Sequence, residues 1–180
     1  MRAFSLSLLA VLAQLVPLCL AIPLDVTPRS QVCSNVPDMV AGSLLDRAPG
    51  TSDDIWCAPS SSTWVLLTFG KKLTGTTVTE LLIDSYNQVG EALKANGDGP
   101  IIKGVFQLTR YGLLLAAKNA NNHQLTRGVL EAAITATWQY MRSRQYGGRS
   151  QGTVTFQIFD GLNQVGTGSI QRASKSSGPS

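Results

Sequence analysis

A helical pattern over residues 126–144 is the strongest periodic signal in the chain. Apolar positions recur there at three- and four-residue steps, at Leu130, Ala133 or Ile134, Thr137 or Trp138, and Met141. Such spacing makes one face of a helix of about five turns apolar. Gly147 and Gly148 end the pattern, because glycine is the usual residue just past a helix. The stretch therefore predicts an amphipathic helix whose apolar face needs a sheet to cover it.

The segment after this helix changes to a period of two. Its apolar positions are Val154, Phe156 and Ile158, and they alternate with polar residues, as in a half-buried strand. Asp160-Gly161 predicts a turn, and Val165 to Gln171 predicts the returning strand of a hairpin. We expect Gly166 and Gly168 in that strand to let a large side chain such as Trp138 approach the backbone.

A second helix and an interior strand are predicted earlier in the chain. Trp64 to Phe69 is apolar on both faces, which is typical of an interior strand. Thr77 and Glu80 have the spacing of a capping box. Helical spacing follows at Val78, Leu82, Ser85 or Tyr86, Val89 and Leu93. Glycines and a proline at residues 97–100 end that helix.

The stretch between the two helices is ambiguous in its composition. Ile101 to Leu108 is rich in β-formers, whereas Tyr111 to Ala117 suits a strand or a helix. We predict two strands, because the helices otherwise have too little sheet to cover them. Residues 119–123 are then a loop.

The order of elements predicts an α+β fold for residues 63–171. Two helices pack on one face of an antiparallel sheet, in the order of a ferredoxin-like split βαβ sandwich, with an extra C-terminal edge strand. A different α+β roll, in which the last hairpin pairs elsewhere, is the alternative. The tail, residues 172–180, is predicted to be disordered.

The N-terminal residues 1–21 have the features of a secretory signal peptide. Arg2 precedes a strongly apolar run that is interrupted by Pro17 and ends with small residues at Cys19 and Ala21. An uncleaved membrane anchor is the alternative, and it requires a longer span without the proline. We therefore expect a secreted, extracellular protein.

Removal of the leader leaves an even pair of cysteines, Cys33 and Cys57. In an oxidising compartment two cysteines predict one disulfide, which contributes on the order of 3 kcal/mol to stability. Residues 22–62 contain five prolines and no sustained period. We predict an irregular N-terminal arm held by the disulfide; the alternative is that part of it is a propeptide.

Charge is distributed unevenly between the two halves of the chain, whose formal net charge is +4. Residues 22–100 hold five Lys or Arg against nine Asp or Glu, and residues 101–180 hold nine against two. Arg142, Arg144 and Arg149 form a predicted basic patch for a host or cell-surface protein, an acidic glycan or anionic lipid. No aromatic interleaving or motif favours nucleic acid. Alternatively, the basic half faces the acidic half.

The candidates for catalysis are few. His123 is the only histidine and lies in an asparagine-rich stretch, so it is predicted to be a solvated loop residue. Asp53 and Asp54 are adjacent and point to opposite sides of an extended chain, which disfavours a glycosidase pair. No cysteine and histidine spacing suits zinc. We expect no metal and no cofactor.

The overall organisation of the chain resembles that of the small secreted effector-like proteins of filamentous fungi. The resemblance is carried by the leader, the single cysteine pair and an α+β domain ending in TVTFQIFDGLNQVGTGSI. It implies a secreted protein that acts as a virulence effector.

Three hypotheses about function follow. The first is a non-enzymatic interaction protein that binds through the basic end of the second helix and the adjoining hairpin. The second is a small secreted or lumenal enzyme of the cyclase or isomerase type, with a pocket lined by Asp84, Tyr86 or Tyr140. The third is a ligand carrier with an apolar cavity.

Overall fold

A seven-stranded antiparallel sheet with two helices on one face makes up the fold. The structure is a computed structural model that describes residues 44–47 and 51–174. The strands are β1 (Leu44–Arg47), β2 (Thr51–Cys57), β3 (Thr63–Lys72), β4 (Val105–Arg110), β5 (Leu113–Asn119), β6 (Gly152–Asp160) and β7 (Asn163–Arg172). The helices are α1 (Thr77–Asn96) and α2 (Arg127–Tyr146). A single 3-10 turn at Ile102–Gly104 precedes β4.

The predicted α+β class is confirmed, with two helices packed on an antiparallel sheet. The strands lie in the order β1-β2-β3-β6-β7-β5-β4. The predicted position of the last strand at an edge was wrong, because β7 lies between β6 and β5. The burial of β7 agrees with this central position, because Val165 and Ile170 are 8% and 1% exposed. In an edge strand these side chains would be partly uncovered. The ambiguous stretch between the helices forms the hairpin β4–β5.

The described part of the N-terminal arm, residues 44–47 and 51–62, is less irregular than predicted. It contributes β1 and β2, and Ile55 of β2 pairs with Leu66 of β3. The prediction failed because two adjacent aspartates interrupt the apolar pattern of β2. Polar side chains can be buried in a strand when they are hydrogen-bonded, and Thr68 Oγ1 donates to Asp53 Oδ1 at 2.6 Å. Residues 1–43, which include the predicted signal peptide, lie outside the described residues, as do residues 175–180.

The main core lies between the sheet and the helices, as the helical stripes predict. Leu82 and Val78 of α1, Leu130 and Ile134 of α2, and Leu67 of β3 are at most 1% exposed. Neither of these helices, nor any other in the described ranges, is long and apolar enough to cross a bilayer. A smaller cluster of Ile55, Cys57, Leu66, Trp64 and Phe159 lies on the opposite face of the sheet.

The glycines of β7 leave space for a side chain other than the predicted Trp138. A Cβ added at Gly168 would overlap with the ring of Phe156, which is the cross-strand partner of Gly168. Gly166 lies against Ile158 and Leu125. At Gly168 the side chain that needs the space is therefore Phe156 of the neighbouring strand, and Trp138 of α2 is not among the nearest atoms at either glycine.

Helix α1 does not begin with the predicted capping box between Thr77 and Glu80. The threonine that bonds to Glu80 is Thr76, whose hydroxyl lies 2.8 Å from Glu80 Oε1. The side chain of Gln151, which is 3% exposed, supplies the cap. Its Oε1 accepts from the backbone N–H of Thr79 at 3.3 Å, and its Nε2 donates to Thr79 Oγ1 and to Gln145 Oε1. A residue distant in sequence therefore satisfies a free donor of the first turn.

Candidate binding surface on the helix pair

The three predicted patch residues do not form one surface. Arg142 and Arg144 lie two positions apart on α2, so their side chains point to different sides of the helix. Arg149 is exposed in the loop that follows. Its backbone N–H donates to Arg144 O at 2.8 Å, which closes the helix end.

Arg144 packs against the protein itself. Its Cζ lies 3.6 Å from the ring centroid of Phe69 on β3. Its Nη1 donates to the hydroxyl of Tyr140 at 3.2 Å, and its Nε donates to the carbonyl of Ser150 at 3.4 Å. Because these contacts join α2 to the sheet, Arg144 has a structural role.

Tyr140 connects α2 to the acidic half of the chain. Its hydroxyl donates to Asp54 Oδ2 on β2, and its ring lies edge-on to Trp56 with centroids 6.0 Å apart. Burial and the hydrogen bond to Asp54 raise the pKa of Tyr140 to about 12. The hydroxyl therefore keeps its proton at neutral pH, which does not suit a general base.

Arg142 lies on the exposed side of α2 between two aromatic rings. Its Cζ is 5.4 Å from the ring centroid of Trp138 and 5.3 Å from that of Tyr146. Its Nε donates to the hydroxyl of Tyr146 at 2.9 Å. Both distances are within the range of cation–π attraction, so the aromatic rings hold the guanidinium at the surface.

An apolar groove of about 300 Å³ lies between the two helices, next to this arginine. Its lining residues are Leu82, Ile83, Tyr86, Ile134, Thr135 and Trp138. Ile83 and Tyr86 are 43% and 45% exposed, which is high for large apolar side chains. We call the groove together with Arg142 and Tyr146 the helix-pair surface. Sequence reasoning missed Ile83, because it lies outside the apolar stripe that the period of α1 predicts.

Trp138 borders this groove and has an unpaired polar atom. Its Nε1 is buried and finds no acceptor among the described residues. A buried N–H without a partner costs about 1–3 kcal/mol.

The residues of the predicted enzyme pocket are not brought together. Asp84 Oδ2 accepts from the hydroxyl of Tyr111 at 3.0 Å, Tyr86 lines the groove, and Tyr140 faces β2. The bond to Asp84 and its charge raise the pKa of Tyr111. His123 is exposed, as predicted.

The two adjacent aspartates point to opposite faces of the sheet. Asp53 bonds to Thr68 on one face and Asp54 to Tyr140 on the other, which is the opposite orientation predicted for neighbours in an extended chain. Within residues 53–174 no three His, Cys, Asp or Glu side chains are grouped to hold a metal ion.

The predicted disulfide has one member in the described part of the chain. Cys57 is 6% exposed and ends β2. Cys33 lies outside the described residues, so the bridge stays a prediction.

Compared with models of known protein families, with curated proteins and with solved structures, the chain gives no match.

Proposed function

We propose that this chain is a secreted, non-enzymatic interaction protein that binds a partner protein through the helix-pair surface. The observation that carries the proposal is the guanidinium of Arg142, held between Trp138 and Tyr146 beside an exposed apolar groove. The effector role that the resemblance implies belongs to the same proposal.

The composition of this surface supports protein binding. Tryptophan, tyrosine and arginine are the residues most enriched where truncation costs the most binding energy. Tyr86, Trp138, Arg142 and Tyr146 bring all three types together around one groove. Ile83 adds an exposed aliphatic side chain. A partner that covers them gains apolar burial of about 25 cal/mol per Å².

The charge at this site sets the chemistry of the partner. Arg142 is exposed and its Nε is used by Tyr146. A carboxylate of the partner is the natural ligand for the rest of the guanidinium. The fitting partner therefore presents an apolar side chain to the groove and an aspartate or glutamate beside it.

The test measures saturable binding of the labelled mature protein to the surface of target cells. We expect Arg142→Ser and Tyr86→Ala each to weaken the apparent affinity by about tenfold, the usual loss at a central contact. Arg149→Ser, with the same loss of charge on a neighbouring loop, is the matched control and should change the affinity less than twofold. Binding of the Arg142→Ser protein at the wild-type level would remove the helix-pair surface from the proposal.

Secretion is tested separately. The protein recovered from the culture medium should have Ile22 as its first residue. A product that keeps residues 1–21 and stays with the membrane fraction would refute the export step without bearing on the helix-pair surface.

A further inference from the structure

The groove of the helix-pair surface runs along both helices, because its lining residues recur one turn apart. On α1, Tyr86 lies four positions after Leu82, and on α2, Trp138 lies four positions after Ile134. Leu82 and Ile134 are buried and form the floor, whereas Tyr86 is 45% exposed and borders the opening. The groove is therefore an open trough along the helix pair, longer than one side chain needs.

A carboxylate lies one turn beyond one end of the groove. Glu131 precedes Thr135 by four positions on α2, and Gly90 follows Tyr86 by four positions on α1. Glu131 and Gly90 face each other across the helix pair, because a Cβ added at Gly90 would lie 3.1 Å from Glu131 Oε1. Gly90 is buried and has no side chain, so the half-buried Glu131 lies against the backbone of α1 and closes this end.

A guanidinium lies one turn beyond the other end. Arg142 follows Trp138 by four positions, and its Cζ lies 5.4 Å from the centroid of that ring. Arg142 is eleven positions after Glu131, which corresponds to about 16 Å along a helix axis. The groove therefore has an apolar floor between a negative charge at one end and a positive charge at the other.

We infer that the groove binds an amphipathic helix of the partner protein, with an acidic residue beside Arg142, a basic residue beside Glu131 and apolar residues between them. The inference rests on the proposed function and adds the conformation and the second charge of the partner segment. A helix laid in a groove presents one apolar side chain per turn, which matches lining residues one turn apart. A segment of about three turns spans the 16 Å between the charges.

A fatty acid and an extended peptide fit this groove less well. A fatty acid that pairs its carboxylate with Arg142 brings its apolar end against the charge of Glu131, which is costly to desolvate. An extended peptide that adds to a protein surface needs free backbone donors and acceptors, and within a helix these groups bond to each other. Its side chains also alternate between two sides. The helix is therefore the conformation that the groove favours.

Selection of peptides from a phage-displayed random library tests the inference, with the mature full-length protein as bait. Library members of about 14 residues are long enough for three helical turns. We expect enriched peptides to have apolar residues at three- and four-residue steps, an acidic residue near one end and a basic residue near the other. Arg142→Glu should replace the acidic preference by a basic one, and Glu131→Lys should replace the basic preference by an acidic one. The matched control Arg149→Glu reverses the same charge on the neighbouring loop and should leave both preferences unchanged.

Calorimetry and circular dichroism with the most enriched peptide give a second readout. Tyr86→Ala should weaken its binding about tenfold. The peptide should gain helix when it binds, and a proline at its centre should abolish binding, because proline breaks a helix.

Three results would overturn the inference: enriched peptides without a helical period, binding that survives the central proline, or no enrichment at all. Calorimetric binding of lauric acid that Arg142→Ser abolishes, without enrichment of any peptide, would assign the groove to a fatty acid instead. If saturable binding to cells still depended on Arg142, the proposed function would stand and the inference alone would fall. Both would fall together only if that dependence were absent as well.

Discussion

The hydroxyl of Tyr140 on α2 donates to the carboxylate of Asp54 on β2, 86 positions earlier in the chain. This contact joins the basic half of the sequence to the acidic half. Arg144 donates to the same hydroxyl from the next turn of α2. The three side chains form one polar network between a helix and the sheet, and a network of this kind is sensitive to the loss of any member.

Replacement of Tyr140 by phenylalanine tests the network. Tyr140→Phe keeps the ring but removes the donor to Asp54, so we expect a loss of about 2 kcal/mol in the free energy of unfolding. Urea unfolding of both proteins at neutral pH measures the difference. Tyr146→Phe is the matched control, because Tyr146 is 75% exposed, and it should stay within about 0.5 kcal/mol. Equal stability of Tyr140→Phe and wild type would contradict the assigned role.

The raised pKa of Tyr140 predicts loss of stability at alkaline pH. In the unfolded chain a tyrosine has a pKa of 10.0, and in the folded protein the pKa of Tyr140 is about 12. Between these values the unfolded state has released the proton while the folded state keeps it. The contribution to stability is therefore complete below pH 10 and is lost as the pH rises to about 12.

Urea unfolding from pH 8 to 12 measures this loss, and tyrosinate absorbance follows the ionisation itself. The Tyr140→Phe protein should lack that part of the slope in its stability between pH 10 and 12. The same slope in both proteins would assign it to other groups.

The two arginines of α2 should differ in their effect on stability. Arg144→Ser removes the stacking on Phe69 and the bond to Tyr140, and we expect it to cost about 2 kcal/mol. Arg142→Ser removes exposed stacking only and should cost less than about 1 kcal/mol. Chemical denaturation of the two variants gives the comparison. A larger loss for Arg142→Ser would reverse the roles assigned here.

Gly168 should tolerate no side chain. In Gly168→Ala the added Cβ overlaps with the ring of Phe156, which is 3% exposed and has little room to move. We expect a loss of about 1–3 kcal/mol from overpacking. Thermal unfolding of the variants measures this loss. The double variant Gly168→Ala and Phe156→Leu should recover part of the lost stability. An additive loss in the double variant would argue against the clash.

The predicted bridge between Cys33 and Cys57 can be tested without a structure of the arm. Maleimide labelling of the intact mature protein, followed by mass measurement, should give no adduct before reduction and two after it. Replacement of both cysteines by serine should reduce stability by about 3 kcal/mol. An adduct before reduction would refute the bridge.

The sequence alone determined the helices and strands in which apolar residues recur at a regular spacing. The stripe of α2 and the alternation of β6 are local patterns, and each element followed from residues close together in the chain. The hairpin turn also followed, although it lies at Gly161-Leu162, one residue later than the predicted Asp160-Gly161. Local patterns of this kind fix secondary structure because side chains three, four or two positions apart share a face. The α+β class followed from the order of these elements.

Only the tertiary structure decided the pairing and the surfaces. The position of β7 between β6 and β5 depends on which strands share hydrogen bonds, and the order of elements leaves that open. Arg142 and Arg144 look equivalent in the sequence, yet one stacks on exposed rings and the other on Phe69 of β3. Such contacts depend on long-range packing, which no local period encodes.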